Sequence, residues 1–335
     1  MEALDRSDPQ RIGGRITLRG RLGFGGMGRV YYGVTDDREP VAVKVIRADL
    51  IDRDEVRERF ARETEALRTV QGTHIASLVD ASGEDDDQPW LAMEFVRGLT
   101  LKEFVSEQGP LTAGQAAALG VLLADALRDV HGAGLLHRDL KPANVILGRD
   151  GPTLIDLGLV AFAEGPTDLT TSTATLGTPA CMAPEQAVTP KRITAAADVH
   201  SLGATLLYAL TGHYPYQGDT VVALMAKIIS SDAPPDVTGL PDAFAAPITA
   251  MLAHDPHARP PVAEARARLE ALCGSLPAAI RALTLATYVE RESDPEDVAP
   301  PPRRPVDLSQ VAPPGSVVAR LANRLRAAYA VTAPF

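Results

Sequence analysis

Residues His137-Arg138-Asp139-Leu140-Lys141-Pro142-Ala143-Asn144 decide the reading of this chain. They set a carboxylate, an ammonium and an amide on one short loop, between a helix-like stretch and the strand-like Val145-Ile146-Leu147. Three such groups suit three jobs in one reaction. Asp139 can orient a hydroxyl and take its proton. Lys141 can neutralise charge on a moving phosphoryl group, and Asn144 can bind a hard cation through its oxygen. Farther on, the apolar run Leu154-Ile155 ends in Asp156. Asn144 and Asp156 together supply the oxygen ligands that Mg²⁺ prefers.

Upstream, Gly23-Phe24-Gly25-Gly26-Met27-Gly28 is a GxGxxG cluster, a pattern shared by dinucleotide-binding turns and by glycine-rich hairpins. A dinucleotide-binding turn needs a helix directly after its last glycine. Here Arg29-Val30-Tyr31-Tyr32-Gly33-Val34 follows and reads as strand, which excludes a Rossmann dehydrogenase. A glycine hairpin can instead fold over phosphates, its N–H groups meeting oxygens that a Cβ would hold away. Lys44 lies inside the apolar strand Val41–Ile46 and needs an anionic partner, because a lone buried ammonium is costly. Glu63 is the candidate. It sits on the apolar face of a helix marked by Val56, Phe60, Leu67 and Val70.

The chain has 335 residues, with 33 Lys and Arg against 43 Asp and Glu, a net charge of −10 that disfavours general binding to nucleic acid backbones. Hydrophobic residues make up 45% and charged residues 23%, which excludes wholesale disorder. Two cysteines, Cys181 and Cys273, cannot build a disulfide framework and suit a reducing, cytoplasmic setting. No apolar stretch reaches the roughly 20 residues of a bilayer span.

Strands dominate up to about Val96, including the run Trp90–Val96, and helices dominate from about Thr100 to Leu272. The helical runs are Thr112–His131 and Thr194–Thr211, the second closed by Gly212. Segregated strands and helices imply an α+β fold of two lobes. Residues 1–15 read as a polar leader, 16–272 as the catalytic domain divided near 96, and 273–335 as a proline-rich linker with a short basic amphipathic tail. From Val298 onward five Arg and one Asp give the tail a local charge of +4. Such a tail could bind a partner, a peripheral membrane surface or its own catalytic domain, or simply be solvated.

From Ile16 to Leu272 these motifs resemble the protein kinases, in particular the eukaryotic-like (Hanks-type) serine/threonine kinases of bacteria. The resemblance continues through Gly177-Thr178-Pro179, Ala183-Pro184-Glu185, Asp198-Val199-His200-Ser201-Leu202-Gly203 and Asp255-Pro256-His257-Ala258-Arg259-Pro260. It implies a bilobal fold, with an antiparallel sheet and one helix in the first lobe and a mainly helical second lobe. It also implies ATP with Mg²⁺, for which Mn²⁺ could substitute. Lys44, held by Glu63, would meet the α- and β-phosphates; Asp139 would be the base, Lys141 would assist the γ-phosphate, and Asn144 and Asp156 would hold the metal. Leu22, Gly23, Gly25, Gly28 and Val30 would cover the nucleotide. Ala42, Met93 and Ile146, with backbone groups of Glu94 and Val96, would frame adenine.

The implied acceptors are Ser and Thr hydroxyls of proteins. The rival classes are a pseudokinase that regulates by binding and a small-molecule phosphotransferase. Asp198 would accept backbone hydrogen bonds from the catalytic loop, and Glu185 would pair with Arg259. Leu67, Leu78, His137 and Leu157 would stack between the lobes. Leu157 and Cys181 depart from the family pattern, where aromatics are more usual. Thr170, Thr171, Ser172, Thr173 and Thr175 are the candidate self-phosphorylation sites, with Arg138 placed to pair with a phosphate.

Overall fold

The structure, a computed structural model, describes residues 1–25, 28–47, 54–83, 86, 88–157, 179–189 and 193–290. Its first lobe is a six-stranded antiparallel sheet. The strands are β1 (Arg11–Ile12), β2 (Ile16–Gly25), β3 (Gly28–Thr35), β4 (Pro40–Ile46), β5 (Leu78–Ala81) and β6 (Trp90–Glu94), in spatial order β1-β2-β3-β4-β6-β5. Helix α1 (Asp54–Thr69) lies between β4 and β5 in the chain and buries Phe60 and Leu67. β-Branched and aromatic residues in β3, β4 and β6 suit a pleated surface packed on both sides.

Register fixes which side chains share a face, because directly paired residues point the same way. Val30, Lys44 and Leu91 form one row, and Tyr32, Ala42 and Met93 the next. On the other face Tyr31, Val43 and Ala92 join Ile16, Leu18, Val41, Val45 and Trp90 in a separate apolar cluster. Residues 1–15 cover that cluster. Leu4 and Ile12 pack on it, and Glu2 bridges Arg21. Gly13 sits so close to Trp90 that a Cβ would come 2.4 Å from the ring. The polar leader of the sequence reading is therefore a layer of the first lobe.

The second lobe begins with β7 (Leu99–Thr100), α2 (Leu101–Gln108), α3 (Ala113–Gly132) and the pair β8 (Val145–Gly148) and β9 (Gly151–Leu154). It continues through α4 (Pro184–Val188), α5 (Ala195–Thr211), α6 (Val221–Ile229), α7 (Asp242–Met251), α8 (Val262–Glu270) and α9 (Leu276–Thr287). Thr112 starts α3 with a reciprocal cap to Gln115, and Gly212 ends α5 in a left-handed conformation, φ 79°. α3 is the axis of the core: Leu119, Leu123 and Leu127 are fully buried beside Leu206 of α5 and Leu269 of α8. Burying each such leucine contributes about 1.5–3 kcal/mol. Residues 276–287, read from sequence as part of a linker, form α9, which packs on α3 through Leu283. The proline stretch and basic segment beyond 290 lie outside the described residues.

Candidate active site

The loop from His137 to Asn144 hangs from one buried carboxylate. Asp198, at the start of α5, accepts hydrogen bonds from the His137 N–H at 2.9 Å and the Arg138 N–H at 2.8 Å, and meets His131 Nε2 at 2.7 Å. His137 is fully buried, and its Nε2 lies 3.2 Å from the Ile155 carbonyl. Burial pushes its pKa down, against the pull of Asp198 and Asp139. Gln186 of α4 donates to the Arg138 carbonyl at 2.9 Å, a tie absent from the sequence reading although Gln186 directly follows Glu185.

This frame gathers the three groups that the loop sequence pointed to. Lys141 Nζ lies 2.6 Å from Asp139 Oδ2. Asn144 Nδ2 donates to the Asp139 carbonyl at 2.8 Å and to Oδ2 at 3.0 Å. The amide nitrogen is thus committed, and the side-chain oxygen of Asn144 is the atom that could meet a cation. The Asn144 carbonyl accepts from the Ile155 N–H at 2.9 Å, which brings the Asp156 strand end beside it. A pair of oxygen donors, one of them anionic, fits Mg²⁺, which binds through one or two carboxylates together with substrate phosphates. Arg138 and Asp156 both adopt left-handed backbones, φ 63° and 62°, a strained state for side-chain-bearing residues that concentrates at functional sites.

Lys44 is where the structure departs from expectation. Its Nζ meets Asp156 Oδ1 at 2.7 Å, whereas Glu63 Oε1 lies 3.9 Å from Arg138 Nη1. Asp156 thus supplies the counter-charge that the strand lysine requires, in the place expected of Glu63, which stands 3.9 Å from Arg138. Burial raises the Asp156 pKa, but Lys44 more than offsets this and holds it below the usual carboxylate value.

Of the residues expected to frame a nucleotide, Val30, Lys44, Ala42 and Met93 share one face of the sheet. Val30 and Lys44 are paired, as are Ala42 and Met93. Leu22 is exposed at the mouth, and Gly23 has open space around it. Gly28, at φ 153°, admits no side chain, since a Cβ would lie 1.8 Å from the Val45 carbonyl oxygen. Gly25 pairs with Gly28 at the end of the hairpin. The Glu94 N–H donates to the Ser77 carbonyl at 2.8 Å, so of its backbone groups the carbonyl is the one that could meet a base. Val96 approaches Gly148 and Gly98 approaches Ile146, so the connection between lobes rests on β8.

Glu185 and Arg259 form the expected pair, bidentate at 2.6 and 2.8 Å. Leu67, Leu157 and His137 are buried, and Leu78 packs against the same core. Burial pushes the Cys181 thiol up to about 12 and keeps it protonated. Thr170, Thr171, Ser172, Thr173 and Thr175 lie outside the described residues, as do Gly158, Gly177 and Thr178.

A two-lobed fold with this loop between its lobes defines a phosphotransferase class, and residues 16–268 match the protein kinase domain. The chain belongs to the protein kinase family. It is 41% identical over 269 residues to the serine/threonine-protein kinase AfsK of Streptomyces coelicolor, covering 80% of this chain and 33% of that protein. It is 33% identical over 228 residues to the serine/threonine-protein kinase PrkC of Bacillus subtilis, covering 67% of this chain and 35% of that protein. The chain thus spans about one third of the length of these relatives. The crystal structure of the Mycobacterium tuberculosis PknI kinase domain superposes with a TM-score of 0.62 at 26% identity, covering 81% of this chain and 99% of that one.

Proposed function

We propose that this protein transfers the γ-phosphoryl group of ATP to Ser and Thr hydroxyls of protein substrates. The observation that carries the reading is the placement of the Lys141 and Asn144 side chains, each within hydrogen-bonding distance of Asp139, on a loop suspended from Asp198. Asp139 receives the acceptor hydroxyl and takes up its proton as the oxygen bonds to the γ-phosphorus and the bond from that phosphorus to the β,γ-bridging oxygen breaks, leaving ADP. Lys141, already beside Asp139, offsets the charge on the transferred group. Lys44, Leu22, Gly23, Gly25, Gly28 and Val30 hold the phosphates, and Ala42, Met93, Ile146, Glu94 and Val96 hold the base. Asn144 and Asp156 would hold Mg²⁺ (Mn²⁺ as a substitute), which neutralises phosphate charge when bound. Such a site gains rate from positioning and electrostatics.

Glu63 serves Lys44 in the transferring state under this reading. Arg138 now lies beside Glu63, and a phosphate on one of the hydroxyls from Thr170 to Thr175 would compete for its guanidinium and release Glu63 to the lysine. A cytoplasmic location fits the two unpaired cysteines and the lack, among the described residues, of any helix long and apolar enough to cross a membrane.

The test is radiolabel transfer from ATP to a generic basic protein. Asp139→Asn and Lys44→Ala should each reduce kcat by about 10²-fold or more while Mg–ATP still raises the melting temperature of the Asp139 variant. Transfer at the wild-type rate by either variant would refute the role given to that residue. Binding without transfer by the wild-type chain would favour a regulatory pseudokinase. Transfer only to small hydroxylated molecules would favour the small-molecule reading.

A further inference from the structure

Asp8 lies in the N-terminal segment, far in sequence from every residue assigned above, yet its side chain is fully buried. Four donors saturate it. Oδ2 accepts from Arg21 Nε at 2.6 Å and from the Asp5 N–H at 2.8 Å; Oδ1 accepts from the Tyr31 hydroxyl at 2.9 Å and from Arg29 Nη1 at 3.1 Å.

The positions of these partners matter more than their number. Arg21 of β2 pairs with Tyr31 of β3. The register then shifts, so that Gly23 pairs with Val30 and Phe24 with Arg29, leaving Leu22 as the extra residue of a bulge. A bulge interrupts the ladder and bends the strand, which makes it the place where a hairpin flexes. Arg21 stands on one side of this joint and Arg29 on the other. The Asp8 carboxylate bridges them on the outer face, while Leu22, Gly23 and Val30 serve the nucleotide side.

We infer that Asp8 is a positioning residue for the nucleotide: its carboxylate clamps the bulge of the glycine hairpin and sets the height of that hairpin over the phosphates. This rests on the kinase reading above. Removing the negative charge leaves two guanidiniums facing each other across the joint, and their repulsion opens the hairpin. The remainder of the segment anchors elsewhere. Arg11 pairs with the exposed Asp36, and Leu4 packs on the apolar outer face.

The test compares Asp8→Asn with Leu4→Ala, which loosens the same segment without touching the carboxylate, and with Arg11→Ala, all in the full chain. Two quantities are read: amide exchange of residues 22–30 without nucleotide, and KM for Mg–ATP alongside kcat. Asp8→Asn should speed exchange at 22–30 about tenfold and raise KM about five- to tenfold, with kcat within about twofold of wild type. Leu4→Ala should lower the melting temperature with neither effect, and Arg11→Ala should change nothing. Unchanged exchange in Asp8→Asn would overturn the clamp. So would an equal rise in KM in Leu4→Ala, because that would make Asp8 a general prop of the lobe. If the wild-type chain transfers no phosphate, the kinase reading fails, and the exchange measurement decides the clamp by itself.

Discussion

Two ion pairs of similar length behave differently in this molecule because their surroundings differ. Arg259 is wholly buried, and all five of its N–H groups are used: Nε on Ala253, Nη1 on Glu185 and Ala196, Nη2 on Glu185 and His254. No rearrangement could satisfy that fork better, so the pair is a rivet between α4, α5 and the segment before α8. Lys44 makes a single contact with Asp156, and its three donors can change partners without breaking a network. Arg259→Ala should cost about 3–5 kcal/mol in urea unfolding, since it strands Glu185. Arg259→Lys should recover only part of this, because three donors on a flexible stem cannot replace a planar fork. Cys181 belongs at the same scale. With its thiol raised to about 12 by burial, it should resist a maleimide at pH 8 in the folded state and react on unfolding, while the less buried Cys273 modifies first.

At the scale of elements, α3 shows how close the packing runs. A Cβ at Gly120 would come 2.8 Å from Leu269 of α8 and 2.9 Å from Leu206 of α5. Gly120→Val should therefore destabilise by about 1–3 kcal/mol through overpacking, despite the better helix propensity of valine, as a thermal melt would show. Helices like this were readable in the sequence. Thr112, Thr194 and Gly212 mark ends that the structure places within a residue of the expected ones. The grouping of Asp139, Lys141 and Asn144 was readable too, since the three are close in the chain and their mutual hydrogen bonds are local. Other features were harder to read. Apolar Leu276, Ile280 and Leu283 recur at helical spacing, but the prolines farther on drew the whole stretch into a linker. Asp8 gave little local sign, because three of its four donors lie on β2 and β3 and its segment looks merely polar. The partner of Lys44 was hidden for a different reason: a strand lysine announces that it needs a carboxylate, but which one it takes is settled by the tertiary fold, which here brings Asp156 within 2.7 Å.

The whole molecule carries a consequence of burying two histidines, His137 and His200, in its second lobe. His200, in the middle of α5, is fully buried, and burial with help from Arg259 pushes its pKa down to about 3; His137 shifts in the same direction, chiefly through burial. Both rings are neutral in the fold, whereas in the unfolded chain each takes a proton near pH 6.5. Their stabilising contribution is complete above that pH. It is lost as the pH falls, because the unfolded state then binds protons that the native state refuses. Each fully shifted histidine steepens the loss by about 1.4 kcal/mol per pH unit, and for His200 the window runs from 6.5 down to about 3. The carboxylates Asp8 and Asp156, held below their ordinary value, add to the loss only at more acid pH. Urea unfolding at pH 8, 7, 6 and 5 should thus show stability flat above pH 7 and dropping steeply below 6. His200→Phe should remove about one proton of that slope while leaving kcat at pH 7.5 near wild type, since the ring touches neither Asp139 nor Lys44. An unchanged slope in that variant would place the acid sensitivity in the catalytic loop, at His137, and low pH would then disturb the site before it disturbs the core.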